Sequence, residues 1–151
     1  MELELKNHRI EIVKNIILQV FSFLEEQYLY TPKCKVEGDD IFIESFEVEY
    51  VHETKRRKIA VSYTKSQVYS EIKYTFSVSI TRIPYSGVED FFSLSNYLQS
   101  NGKDFSSSLI NDFSEAEAEM ILRKIAAALK EHVLEIIDGT EWLETYYPRK
   151  D

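Results

Sequence analysis

The segment SEIKYTFSVSITRI, residues 70–83, alternates apolar and polar side chains with great regularity. Two interleaved sets make up the pattern: Ile72, Tyr74, Phe76, Val78 and Ile80 are apolar or aromatic, and Lys73, Thr75, Ser77, Ser79 and Thr81 are polar. Successive side chains of a β-strand point to opposite faces of the sheet. The pattern therefore predicts a long strand in an antiparallel sheet with one buried face and one solvated face.

Three further strands are predicted before this one. They are KCKV at 33–36, a longer segment from about Ile41 to Val51, and KIAVSYT at 58–64. The segments EGDD, HETKRR and KSQV provide polar turns between them. Such short connections favour consecutive antiparallel strands, that is, a meander.

Two long helices are predicted outside the strands. The first runs from its predicted N-cap, Asn7, to about Leu29, with apolar residues at three- and four-residue intervals. The second follows Ser114, where SEAE matches a capping box, and stops before Gly139. A short helix is predicted over 93–100.

An amphipathic helix needs an apolar surface to cover, and the buried face of the sheet supplies one. The predicted fold is a two-layer α+β sandwich: a four-stranded antiparallel meander with the N- and C-terminal long helices packed on one face. The order is α-β-β-β-β-α(short)-α. With 151 residues, four glycines and three prolines, the chain shows no linker, and a single domain over 1–151 is predicted.

The second strand contains a break in its alternation at Glu44. Strict alternation places Glu44 on the buried face with Phe42, Phe46 and Val48, where a carboxylate is unfavourable unless it is paired. A β-bulge at Glu44-Ser45 explains the pattern without burying the charge, and this is the predicted arrangement. The alternative is a buried Glu44 with a raised pKa.

Four consecutive basic residues, Lys55 to Lys58, interrupt a chain whose formal charge is −8. They fall at a predicted turn, and Glu47, Glu49 and Glu53 flank them. A nucleic-acid-binding surface needs more cations on the same face and a basic domain overall. The run is therefore predicted to be the solvated tip of a hairpin.

The sequence contains no motif typical of a catalytic, metal or cofactor site. His8, His52 and His132 have no metal-type spacing to one another or to Cys34, and the four glycines are too far apart to form a phosphate-binding loop. His132 is predicted to be a core or boundary residue of the second long helix. No catalytic residue, cofactor or metal ion is predicted.

The first residues lack the basic-then-apolar order of a signal peptide. The early apolar run at 16–24 is far shorter than the about 20 residues that span a bilayer. The single cysteine excludes an internal disulfide and suits a reducing compartment. A cytoplasmic location is therefore predicted. No membrane or nucleic-acid partner is predicted, because an acidic chain repels the phosphates of both.

The favoured hypothesis is a small acidic protein that binds another protein without catalysis. Bacterial immunity proteins and antitoxins that neutralise a basic toxin are of this kind, since acidic surfaces speed the capture of basic partners. The predicted contact residues lie on the solvated sheet face and in the irregular stretch 84–113: Glu47, Glu49, Tyr85, Glu89, Asp90, Tyr97 and Asp104.

A second hypothesis is a small-ligand-binding or enzymatic domain with a pocket between sheet and helices. Its predicted lining residues are Glu44, Tyr74 and His132, and it requires a cavity into which at least two of them converge. A homodimer formed through the sheet face or an edge strand is a third hypothesis.

Overall fold

The structure, a computed structural model, describes residues 2–37, 44–103, 105 and 109–143. Its first helix, α1, spans Glu2–Val20, and α2 (Ser22–Glu26) follows after Phe21. α1 begins before Asn7, which lies exposed inside the helix, so the predicted N-cap is wrong. Glu2 and Glu4 occupy the first turn instead, where the helix dipole favours carboxylates.

Within the described part of the chain, six strands form one antiparallel sheet. Their bounds are β1 Thr31–Glu37, β2 Glu44–His52, β3 Arg57–Val68, β4 Glu71–Arg82, β5 Phe91–Ser93 and β6 Leu109–Ile110. The first four are the predicted meander, while β5 and β6 both pair with the far edge of β4. Segments of two or three residues are too short to show alternation, which is why the sequence did not predict them.

The described residues after β4 include three helices: α3 (Leu94–Ser100), α4 (Glu115–His132) and α5 (Leu134–Ile137). Both predicted N-termini are confirmed. The Ser93 hydroxyl accepts a hydrogen bond from the backbone N–H of Asn96, and that of Ser114 accepts one from Glu117. The second predicted helix is interrupted at Val133, between α4 and α5.

α1 and α4 pack against each other and cover the same sheet face, α1 over β2 and α4 over β4. The buried side of the sheet is apolar and aromatic: Phe46, Val48, Tyr50, Ile59, Val61, Tyr63, Phe76, Val78 and Ile80. The fold is therefore α+β, with an antiparallel sheet and its two long helices on one face, as predicted.

α1 and α4 run in the same direction. The Arg9 guanidinium of α1 lies 5.9 Å from the Tyr74 ring, which lies 5.4 Å from Phe113, just before α4. At the other end, Lys130 near the end of α4 lies 4.4 Å from the ring of Phe23 in α2. The N-termini of both long helices consequently lie at one end of the sheet.

Within the described ranges, no helix has both the length and the apolar character required to cross a bilayer.

Candidate functional site

Glu44 lies on the buried face of the sheet and is 2% exposed. From Glu44 onward the strand register is unbroken and pairs one residue with one, as Glu44–Lys65, Ser45–Thr64 and Phe46–Tyr63. The predicted bulge is therefore wrong. It was favoured because an unpaired buried carboxylate is costly, but this carboxylate is paired with a residue far away in the sequence.

The partner of Glu44 is Arg9. Arg9 donates from Nη2 to Oε1 at 2.7 Å and from Nε to Oε2 at 3.0 Å, a two-pronged ion pair. The buried Tyr63 hydroxyl donates a third hydrogen bond to the same carboxylate. Burial and this hydrogen bond raise the pKa of Tyr63, and the Glu44 hydrogen bond raises the pKa of Arg9. The three residues form a satisfied link between α1, β2 and β3.

Tyr74 belongs to the same cluster, whereas His132 does not. The ring of Tyr74 stacks on that of Tyr63 at 6.4 Å, and burial raises its pKa. His132 is at the opposite end of α4, 3.7 Å from Glu131. The 18 residues of α4 span about 27 Å. The structure thus brings together two of the three predicted pocket residues.

Open surface depressions are among the features that the described residues line. One, of about 440 Å³, lies beside Leu29, Lys33 and Val51. Another, of about 490 Å³, is lined by Glu71, Ile72, Lys73 and Asn111. Neither is lined by Glu44 or His132. In the described part of the chain, no group of three or more His, Cys, Asp or Glu side chains could hold a metal ion.

The basic run is only partly solvated, which corrects the prediction of a plain hairpin tip. Lys55 Nζ donates to the carbonyl of Tyr28 at 2.8 Å, and it lies 5.3 Å from the Tyr28 ring and 5.5 Å from that of Tyr30. Arg56 is exposed, and its Nε donates to the Ile83 carbonyl. These cations hold adjoining loops together.

Arg57 is buried and bonded to backbone carbonyls. Its Nε donates to Ile136 in α5 at 3.0 Å, and its Nη2 donates to Glu141 at 2.8 Å. Its guanidinium lies 4.8 Å from the ring centre of Trp142. Burial lowers the pKa of Arg57. The contacts fasten the segment after α4 to the sheet, because a cation near a helix C-terminus satisfies its open carbonyls.

Glu47 and Glu49 lie on the outer sheet face, as predicted. Glu49 is buried between Lys35 at 2.6 Å and Lys58 at 4.0 Å. Burial alone raises the pKa of a carboxylate, but the Lys35 hydrogen bond and the charges of Lys58 and Lys33 lower that of Glu49. Lysines therefore offset the charge of Glu49, and this face is not an acidic surface.

The predicted contact residues of 84–113 have different environments. Asp90 is buried and accepts hydrogen bonds from Arg82 and Ser86. Tyr97 is half-buried, with its ring 5.5 Å from that of Phe92. Tyr85 and Glu89 are exposed, and Asp104 lies outside the described residues.

A different set of carboxylates shares one end of the molecule. We call it the acidic end, defined by the exposed residues Glu2, Glu4, Asp112, Glu115 and Glu117. They lie at or just before the N-termini of α1 and α4, which the parallel packing places together. Two exposed leucines, Leu3 and Leu5, alternate in the sequence with the carboxylates Glu2 and Glu4 of α1. The acidic first turns are visible in the sequence, but their shared location depends on the direction of both helices.

Comparison of the chain with protein-family models, curated proteins and solved structures gave no match.

Proposed function

We propose that this chain is a non-catalytic protein-binding protein whose acidic end contacts a basic protein surface. Inhibition of a basic toxin, in the manner of an immunity protein or antitoxin, is one form that such a function takes. The observation that carries the proposal is the composition of the acidic end: exposed carboxylates interleaved with Leu3 and Leu5. Apolar side chains supply contact area, and charges of one sign select and steer a partner.

The interior chemistry supports a role without catalysis. Glu44 is bonded to Arg9 and Tyr63, and Asp90 is bonded to Arg82 and Ser86. A general acid or base needs access to a substrate proton. These two buried carboxylates instead have internal donors on both of their oxygens.

Two of the cations near the acidic end have carboxylate partners outside it. Arg9 is paired with Glu44, and Lys73 lies 3.9 Å from Glu71. A cationic partner would therefore meet mainly carboxylates here, and electrostatic attraction would raise its association rate.

The alternative of a ligand pocket at Glu44, Tyr74 and His132 has less support. His132 is at the far end of α4 from the other two, and the carboxylate of Glu44 already accepts three donors. We also propose a cytoplasmic location, which an exposed, unpaired Cys34 on β1 suits because reducing compartments keep thiols free.

The proposal is tested by neutralising the acidic end. A variant carrying Glu2→Gln, Glu4→Gln, Asp112→Asn, Glu115→Gln and Glu117→Gln retains the capping box of α4, because Gln can replace Glu117 in it. Wild type and variant are used as baits in an extract of the source cells, and captured proteins are quantified. We expect basic proteins bound by the wild type to be lost from the variant.

A matched control neutralises five other exposed carboxylates: Glu26, Glu53, Glu131, Glu135 and Glu141. It has the same net charge as the acidic-end variant, so a general loss of charge would affect both equally. Equal capture by the two variants, or no specific capture by the wild type, would refute the proposal.

A further inference from the structure

We infer that Tyr69, at the tip of the β3–β4 hairpin, is the aromatic anchor with which the acidic end binds a basic segment of its partner. This inference rests on the proposed function and names one binding residue and its chemistry. Tyr69 is 96% exposed. No hydrogen bond or ring contact joins it to another described residue.

The backbone at Tyr69 is unfavourable for a tyrosine. Val68 and Glu71 are the last pair of the hairpin, so Tyr69 and Ser70 form a two-residue turn. Tyr69 has φ +60°, and the first position of such turns normally carries Gly, Asn or Asp. A bulky residue there costs about 1 kcal/mol or more relative to glycine. Folding stability therefore gives no reason for a tyrosine here.

Another residue with positive φ has a structural reason that Tyr69 lacks. Arg56, at φ +59°, uses its side chain to bond the Ile83 carbonyl. Backbone strain without a local compensating contact is typical of functional positions. An exposed tyrosine is also well suited to binding, because it offers a large rigid ring with little rotational freedom to lose.

The hairpin tip lies at the acidic end. β3 runs away from Arg57, which is bonded to α5, and passes Lys65 opposite Glu44 before it reaches Tyr69. Beside the tip is the depression of about 490 Å³ lined by Glu71, partly exposed Ile72, Lys73 and Asn111. Asp112 follows Asn111 directly in the chain. Tyr69 is two residues from Glu71 in the chain, so its ring lies next to a depression with aliphatic and acidic lining, in which Lys73 is 3.9 Å from Glu71.

The side chains around Tyr69 favour one kind of occupant, a protein segment that carries lysine or arginine. A cation placed over the face of Tyr69 gains cation–π attraction, and neighbouring carboxylates strengthen its binding. The aliphatic parts of the same lysine or arginine side chains can lie along Ile72. A second copy of this acidic chain would be repelled at the same place.

The test uses a displayed library of short random peptides, selected against the full-length wild-type chain. We expect enrichment of peptides rich in lysine and arginine. Their affinity for Tyr69→Gly should be at least about tenfold lower, the loss typical of a truncated anchor residue. The thermal midpoint of Tyr69→Gly should equal or exceed that of the wild type, so that unfolding cannot explain the loss.

Leu29→Gly is the matched control. Leu29 is also an exposed apolar residue with φ +63°, but it follows α2 at the opposite end of the sheet. Its substitution should leave peptide affinity unchanged. If Tyr69→Gly destabilises the chain, Tyr69→Asn, which also tolerates positive φ, replaces it.

The outcomes separate this inference from the proposed function. Peptides that lose affinity for the acidic-end variant but bind Tyr69→Gly within twofold of wild type would overturn the anchor alone. Failure to enrich basic peptides, or affinity unaffected by the acidic-end variant, would overturn both. Concentration-dependent self-association that Tyr69→Gly abolishes would show that a second copy occupies the surface, and would also overturn the inference.

Discussion

Arg9 and Glu44 are 35 residues apart in the sequence, yet their side chains form a two-pronged ion pair with atoms 2.7 Å apart at the closest. The pair joins α1 to the start of β2 beneath the helical layer. Since only 3% of the Glu44 side chain is exposed, its charge depends on Arg9 and Tyr63 for compensation. This relationship determines how the chain should respond to substitution.

Arg9→Met should lower the free energy of unfolding by about 3 kcal/mol, because it leaves a buried carboxylate without its cation. Arg9→Met/Glu44→Met should recover most of that loss. Denaturant titrations measure both values. Lys14→Met on the same helix is the control, since Lys14 lies 3.8 Å from an exposed Glu11. This substitution should change the free energy of unfolding by less than about 1 kcal/mol. A double variant as unstable as Arg9→Met would contradict this account.

Two buried tyrosines should respond oppositely to the same substitution. Tyr63→Phe removes a donor to Glu44 and should cost about 2 kcal/mol. The Tyr50 hydroxyl is buried without a hydrogen-bond partner in the described structure, so Tyr50→Phe should be neutral or stabilise by about 1 kcal/mol. Thermal and denaturant unfolding provide the comparison. Equal destabilisation by both substitutions would show that Tyr50 has a partner.

Asp90 should contribute to stability in acid. Hydrogen bonds from the Ser86 hydroxyl and backbone, and then from Arg82, lower the pKa of Asp90 from its ordinary 3.8 to about 2. The unfolded chain therefore takes up this proton first as the pH falls. The contribution is complete above about pH 4 and is lost as the pH falls towards 2.

Asp90→Asn removes this titration. We expect the difference in thermal midpoint between wild type and Asp90→Asn to shrink as the pH is lowered from 4 to 2. Ser86→Ala should show a smaller change of the same sign, because Arg82 is retained. A difference independent of pH would indicate that the pKa of Asp90 is the same in the folded and the unfolded chain, and would contradict this account.

Arg57 should control the environment of Trp142, the single tryptophan of the chain. Arg57→Lys keeps the charge but loses the guanidinium N–H groups that donate to the carbonyls of Ile136 and Glu141. The free energy of unfolding should therefore fall by about 1–2 kcal/mol. Tryptophan emission should move to longer wavelength as the ring becomes more hydrated. Arg56→Lys, at an exposed position with one hydrogen bond, should leave the emission unchanged. An unchanged spectrum in Arg57→Lys would contradict this role.

The comparison of sequence and structure shows where local pattern is informative. Alternation identified β4 and its buried face, and the capping box at Ser114 identified the start of α4, because these signals involve neighbouring residues. The predicted N-cap at Asn7 was wrong because an asparagine can also lie inside a helix. Here α1 begins at Glu2 and has Glu2 and Glu4 in its first turn. The predicted bulge at Glu44 was wrong because simple alternation already places Glu44 correctly on the buried face. Its ion-pair partner, Arg9, could not be identified from the local sequence.

The sequence by itself determined the main elements and the side of each that is buried, since periodicity and capping act within a few residues. Tertiary structure alone decided that Arg9 meets Glu44, that Arg57 bonds the carbonyls beyond α4, and that the starts of α1 and α4 share one end with Tyr69. The physical reason is that these relationships depend on the directions in which helices and strands pack. Segment composition does not encode those directions, and each pairing joins residues that are adjacent only after the chain has folded.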